Sequence, residues 1–229
     1  MTDVAITKHI ANLRERIRVA SQKYGRDPGA ITLLGVSKTR PAADIRAAAE
    51  AGLNDVGENY LQEALGKQAE LSDLSLCWHF IGPIQSNKTR ALAEHFDWVH
   101  SIDRLKIARR LSEQRPPELP PLQVCLQVNI SAEESKAGVL PGELPALARE
   151  VAELPHLQLR GLMAIPAAHS EFEAQRQPFA ALRRALESLR EEHPGLDTLS
   201  MGMSADLDAA IAEGATILRI GTALFGPRQ

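Results

Sequence analysis

Ile6, Ile10, Leu13 and Ile17 are separated by four, three and four residues, the repeat that sets apolar side chains on one stripe of a helix. The pattern predicts a leading amphipathic helix that ends near Gly25. From Ile31 the rhythm changes. Short apolar runs alternate with helical segments, and eight runs are legible: ITLLGVSK, NDVGEN, CWHFIG, WVHSI, LQVCLQVN, LRGLMAI, TLSMGM and TILRIGTALFG. Runs that are apolar on both faces and separated by helices call for a parallel sheet with right-handed crossovers. Eight is the number that closes a (β/α)8 TIM-type barrel. An open doubly wound sheet is the competing arrangement.

The segments between the runs carry helix signals of their own. Pro41 opens PAADIRAAAEAG, with Ile45, Ala48 and Ala49 on one face and Gly52 at its end. Ser86 and Asp103 stand where N-caps are expected. A longer helix carries Phe179, Leu182, Leu186 and Leu189 on one stripe, with Pro178 marking a start or a bend and HPG at 193–195 a stop. The proline-heavy RPPELPP at 115–121 reads as a loop before the fifth strand. With no repeat and no shift of composition, residues 1–229 read as a single domain with an extra N-terminal helix.

A chain of 229 residues suits one such barrel and buries roughly three quarters of its unfolded surface, so no disulfide or metal is needed for stability. The formal net charge is only -3, which points to neither a nucleic-acid surface nor a membrane patch. No stretch approaches the ~18 apolar residues of a membrane span, and the N-terminus has no apolar signal core. A cytoplasmic location is the expectation. Cys77 and Cys125 sit in apolar runs and read as reduced core residues rather than a redox pair.

In a barrel of this kind working groups lie at the C-terminal ends of the strands, and a phosphate is often held by the loops after strands seven and eight. The seventh run ends in Ser200-Met201-Gly202-Met203-Ser204 and the eighth carries Arg219-Ile220-Gly221-Thr222. Glycine lets backbone approach phosphate oxygens, hydroxyls donate to them, and a helix beginning near Ser204 would add free N–H groups. The same residues also make plain turns and caps. Lys38 ends the first strand, where a lysine is commonly a solvated terminus. Closure changes that reading, because strand one then lies beside strand eight and Lys38 faces Arg219 and the Gly221-Thr222 turn. A lysine partly withdrawn from water near a second cation is a nucleophile toward aldehydes. Beside a phosphate pocket, its partner is a sugar phosphate or pyridoxal phosphate.

VSKTRP, GENYLQE, WHFIGPIQSNK, SMGMSADLDAAI and RIGTALFG, in that order from about Ile31 to Gly226, resemble the pyridoxal-phosphate homeostasis family, which includes the bacterial YggS-type proteins and the eukaryotic proline-synthase co-transcribed homologue. The resemblance implies a fold of the alanine racemase N-terminal-domain type without that enzyme's C-terminal β domain. It implies that Lys38 forms the internal aldimine of pyridoxal 5′-phosphate and that Asn59 lies beside the cofactor. Ser200, Met201, Gly202, Ser204, Gly221 and Thr222 would surround its phosphate, and Arg219 would face the pyridine nitrogen.

Such an arginine does not supply the ring proton that carbanion chemistry draws on. The competing reading of Arg219 is an ion pair with Asp206 or Asp208. His79 and Asn87 would line the pocket or cap the next helix, Glu58 would hydrogen-bond a pocket group or sit inside the barrel on a basic partner, and Lys136 is a solvated loop residue or a secondary cofactor contact. No metal ligand set stands out.

Three functions compete. The first is a non-catalytic carrier that buffers pyridoxal phosphate or delivers it to apoenzymes, as a monomer or weak dimer. The second is a small enzyme such as an amino-acid racemase, with His79 or Lys136 as base. Against it, the only tyrosines are Tyr24 and Tyr60, and the racemase draws its opposing tyrosine from a second domain. The third is an aldolase or isomerase acting on a sugar phosphate.

Overall fold

A computed structural model describes residues 3–131 and 137–227. Each of the eight apolar runs contributes one strand: β1 (Thr32–Val36), β2 (Asp55–Glu58), β3 (Cys77–Phe80), β4 (Trp98–Ile102), β5 (Leu122–Gln127), β6 (Leu157–Met163), β7 (Thr198–Ser200) and β8 (Ile217–Ile220). They pair in chain order, all parallel, and β1 meets β8 from Thr32 against Ile217 to Gly35 against Ile220. That last pairing closes the barrel and excludes the open sheet. It also carries the placement of Lys38, because it lays the end of β1 against the end of β8.

Helix α1 (Asp3–Lys23) precedes the barrel. Its predicted stripe, Ile6, Ile10, Leu13 and Ile17, is buried. Outside the strands follow α2 (Ala42–Glu50), α3 (Leu61–Glu70), α4 (Thr89–His95), α5 (Leu105–Gln114), α6 (Leu144–Ala152), α7 (Phe172–Leu189), α8 (Leu207–Ala212) and α9 (Thr222–Phe225). Helix α1 packs on α2, α8 and α9. Arg14 donates to the carbonyls of Ala51 and Gly52 at 3.1 and 2.7 Å, and His9 Nδ1 donates to Leu224 O at 2.9 Å. The helix therefore braces the seam where β1 meets β8.

Several boundaries differ from the sequence expectation for identifiable reasons. Ser86 and Asp103 do not cap helices. Ser86 begins a 3-10 turn that delays α4 to Thr89, and the carboxylate of Asp103 is drawn to Arg104 at 2.7 Å. Pro178 lies inside α7, which starts six residues earlier at Phe172. Phe172 stacks on Tyr24 at 6.2 Å with cations from Lys23 and Arg176 over its ring, and that contact adds the earlier turn. The eighth run is strand only to Ile220, and its TALF segment is α9.

The RPPELPP loop is pinned from within. Arg115 is buried and donates to the carbonyls of Pro120, Ala93 and Phe96. Both cysteines are free, and burial pushes each thiol up to about 12. At neutral pH neither is an appreciable thiolate, so slow alkylation of both is expected under native conditions. Among the described residues no helix is long and apolar enough to cross a membrane.

Candidate functional site

Beyond the C-terminal ends of the strands lies a cavity of about 300 Å³. Lys38, Asn59, Ser204, Arg219, Gly221 and Thr222 supply its polar lining, and Val36, Ile81, Ile165 and Met203 its apolar walls. Among the described residues no carboxylate lines it, and Lys38 and Arg219 make it receptive to an anion. At the opposite end of the barrel a larger cleft of about 430 Å³ contains Arg14, Thr32 and Asp55 but no such set.

Lys38 is half-buried, two residues past the end of β1, and the chain is tied down on both sides of it. Ser37 donates its hydroxyl to Glu58 Oε1 at 2.5 Å and accepts from Lys67 Nζ at its carbonyl at 2.7 Å. Thr39 donates its backbone N–H to Glu63 Oε1 at 2.5 Å. Lys67 also bridges Glu58 and Glu63 at 2.6 and 2.5 Å. Thr39 holds φ at +62°, a left-handed conformation costly for a β-branched residue. That turn sets the direction of the Lys38 side chain, and the α3 charges hold it in place. Burial raises the Glu58 carboxyl above its ordinary range, with Lys67 and Ser37 pulling it back down.

Glu58 thus has the basic partner its pattern suggested, but on the outer face of β2, between the sheet and α3, rather than inside the barrel, because the inward-facing position next to it belongs to Gly57, paired with His79. Glu63 and Lys67 were missed. The available signal was Lys67 on the inward stripe of α3, three residues after buried Ala64 and six after Leu61.

Arg219 is 5% exposed. Its guanidinium donates to Ser200 Oγ at 2.8 Å and to Ala164 O at 2.9 Å. Burial brings its pKa down to about 10, with Asp206 opposing the fall, so it stays charged at neutral pH. The two ion pairs weighed from the sequence do not form. Asp206 accepts the Met203 N–H at 2.6 Å, and Asp208 pairs with Arg16 at 2.7 Å.

The seventh-strand residues divide. Ser204 reaches the cavity, whereas Ser200 and Met201 are fully buried and line no part of it. Gly202 adopts φ +95°, accepts the Arg219 N–H at 3.0 Å, and leaves no room for a Cβ against Ala210 and Leu218. Ser200 and Gly202 act on the cavity through Arg219, and Gly202 also through its close contact with Ala210 of α8, which begins at Leu207 rather than near Ser204.

His79 neither lines the cavity nor caps a helix. It lies inside the barrel, bonded to His100 and Asp55. Asn87 is exposed in the turn before α4. Lys136 falls outside the described residues.

Asn59 is fixed by an unusually close approach. A Cβ on Gly82 would overlap the backbone of Asn59, including its carbonyl oxygen. Gly82→Ala is therefore expected to displace Asn59, lowering stability by about 2 kcal/mol and weakening binding in the cavity, as read by thermal melting and ligand titration. The Asn59 Oδ1 atom is buried without a hydrogen-bond partner among the described residues.

Comparison with known proteins agrees with this architecture. Residues 9–229 match the family model of the alanine racemase N-terminal domain. The chain is 67% identical over 224 residues to the pyridoxal phosphate homeostasis protein of Pseudomonas aeruginosa, covering 98% of this chain and 96% of that one. It is 53% identical over 232 residues to the protein of the same name from Escherichia coli, covering 100% and 98%. The solved structure of PipY from Synechococcus elongatus with PLP bound superposes with a TM-score of 0.84 at 40% identity, covering 96% of this chain and 100% of that one. A closed eight-stranded parallel barrel, a match to the racemase domain along nearly all its length, and homeostasis proteins as near-full-length relatives lead to one assignment: the chain belongs to the pyridoxal phosphate homeostasis proteins of the alanine racemase N-terminal-domain family.

Proposed function

We propose that the chain binds pyridoxal 5′-phosphate in the C-terminal cavity, linked to Lys38, and acts in vitamin B6 homeostasis by buffering the cofactor or delivering it to apoenzymes. One observation carries the reading. An amine, a buried guanidinium and two hydroxyls converge on a cavity that no carboxylate lines among the described residues and whose size suits a small phosphorylated aldehyde. The orphaned Asn59 Oδ1 adds an acceptor for a ring hydroxyl. When bound, the cofactor would supply an aldehyde that condenses with the Lys38 amine, releasing water. Ser204, Gly221 and Thr222 would receive the phosphate, since the first N–H groups of α9, at Thr222 and Ala223, have no carbonyl four residues back within that helix. Arg219 would face the ring nitrogen and, being charged, leave it without a proton.

Relatives named for pyridoxal phosphate homeostasis and a PLP-bound neighbour support the cofactor and the role. In this reading residues 1–229 work as one PLP-binding barrel domain in the cytoplasm, as a monomer or weak dimer, with apoenzymes as recipients and no nucleic acid involved.

The carrier reading is preferred to the racemase. Tyr60 is 56% exposed and Tyr24 stacks on Phe172 at the outer helices, so among the described residues no tyrosine lines the cavity. His79 is committed to the barrel interior. Among the described residues, no second proton-transfer group therefore opposes Lys38 there, and Lys136 lies outside them. The protein loaded with pyridoxal phosphate is expected to activate an apoenzyme on mixing and to exchange no α-proton of amino acids in deuterated water. Turnover of an amino acid at ~1 per second or faster would overturn the carrier role.

A further inference from the structure

Five polar side chains form an unbroken line through the barrel. Asp55 opens β2, His79 lies in β3, His100 in β4, Ser200 ends β7 and Arg219 lies in β8. Successive contacts are Asp55 Oδ1 to His79 Nε2 at 3.1 Å, His79 Nδ1 to His100 Nε2 at 2.9 Å, His100 Nδ1 to Ser200 Oγ at 2.8 Å and Ser200 Oγ to Arg219 at 2.8 Å. The two histidines and Ser200 are at most 1% exposed, whereas the Asp55 side chain is 36% exposed at the far end. His79 also stacks flat on Trp98 at 5.5 Å, which fixes its ring plane, and Cys77 Sγ lies 3.3 Å from its Nε2. Barrel interiors are ordinarily filled by branched aliphatic side chains. A fully bonded polar line in that position serves some other end.

The two termini dictate its direction. Arg219 can only donate, so Ser200 Oγ accepts from it. The Asp55 carboxylate can only accept, so His79 carries its proton on Nε2. A neutral His79 then accepts at Nδ1, which requires His100 to carry its proton on Nε2. His100 Nδ1 is left to accept the Ser200 hydroxyl proton. Every proton points away from Arg219 and toward Asp55. His100, enclosed between His79 and the Arg219 cation, is held neutral by burial and by those neighbours.

The line answers an energetic question raised by the cavity. Arg219 is charged and buried, yet the atoms it touches, Ser200 Oγ and Ala164 O, are both neutral, and Asp206 acts on it only through space. A hydroxyl that has given its own proton to a further acceptor is a stronger acceptor itself, and the effect accumulates along a chain.

We infer that Asp55, His79 and His100 are positioning residues of the cofactor cavity, a one-way hydrogen-bond line that delivers part of the Asp55 charge to Ser200 and holds the Arg219 guanidinium in place. The assignment of that cavity to pyridoxal phosphate rests on the reading above. The line itself is a property of the chain.

Two measurements test it. In the cofactor-free protein, nitrogen-15 NMR of the imidazoles is expected to find both His79 and His100 protonated on Nε2. In the loaded protein, Asp55→Asn supplies an amide that can donate as well as accept and so removes the enforced direction. Cofactor release is expected to quicken by about three- to tenfold and the cofactor absorption to shift, with melting unchanged. His100→Leu gives a larger change of the same kind, and His100→Gln restores part of it.

A proton on Nδ1 of either histidine would overturn the inference. So would an Asp55→Asn protein with wild-type release and absorption. Should His100→Leu fail to fold, NMR and Asp55→Asn decide alone, since Asp55 is half-exposed. A wild-type chain that takes up no pyridoxal phosphate would refute the cofactor reading and leave the NMR test standing.

Discussion

Lys38→Ala is expected to abolish the visible absorbance that wild-type protein acquires with pyridoxal phosphate, and to weaken cofactor retention by at least about 100-fold, equivalent to about 2.7 kcal/mol. The lysine follows the strand that closes the barrel and shares a cavity with Arg219, Gly221 and Thr222. On the proposed reading, removing its amine takes away the covalent link while the proposed phosphate contacts stay intact. Residual, rapidly reversible binding is therefore the expected remainder, measured by equilibrium dialysis. The variant should melt as wild type does, because the half-buried Lys38 is not part of the hydrophobic core. Retention equal to wild type would show that another group carries the aldehyde.

Lys67→Met is expected to be the most destabilising single change near the site. It leaves the fully buried Glu58 carboxylate, 2.6 Å from Lys67 in the intact protein, without its cation. Stranding one member of a buried pair costs about 3–5 kcal/mol. In a domain of this size that lowers Tm by about 10 °C. Adding Glu58→Gln should recover much of the loss, since the charge is then gone.

The pH dependence has a definite sign. Burial already raises the folded-state Glu58 pKa above its ordinary 4.5, and losing Lys67 raises it further. The folded variant thus binds a proton that the unfolded chain releases. Its stability is greatest at or below about pH 4.5 and falls as pH rises through the elevated folded-state value. Melting curves at acidic and neutral pH should show the deficit of Lys67→Met widening toward neutrality. A constant deficit would mean that packing, rather than charge, sets the cost.

Much of this was legible in the sequence because its signals are local. Eight apolar runs became eight strands in order, and the leading stripe of four residues became the buried face of α1. Lys38, Asn59, Ser204, Arg219, Gly221 and Thr222 do share one cavity. What escaped depends on which way side chains turn once the sheet closes. Ser200 and Ser204 look alike in SMGMS, yet one hydroxyl points into the barrel and the other into the cavity.

His79 is two residues from Cys77 and therefore on the same strand face, but nothing local reveals that His100 and Ser200 come to meet it. The Lys67 network was invisible for a related reason. Its lysine sits among apolar positions of α3, where a charge looks like an exception until the Ser37 carbonyl and the Glu58 carboxylate arrive from β1 and β2. Caps failed similarly, since Ser86 and Asp103 have the right chemistry but lose their helices to a 3-10 turn and to Arg104.

The most direct measurement is borohydride reduction of the protein mixed with pyridoxal phosphate, followed by peptide mapping. The account predicts a single pyridoxyl-phosphate adduct on the peptide carrying Lys38. An adduct placed chiefly on another lysine, or labelling by a sugar phosphate but not by pyridoxal phosphate, would contradict it.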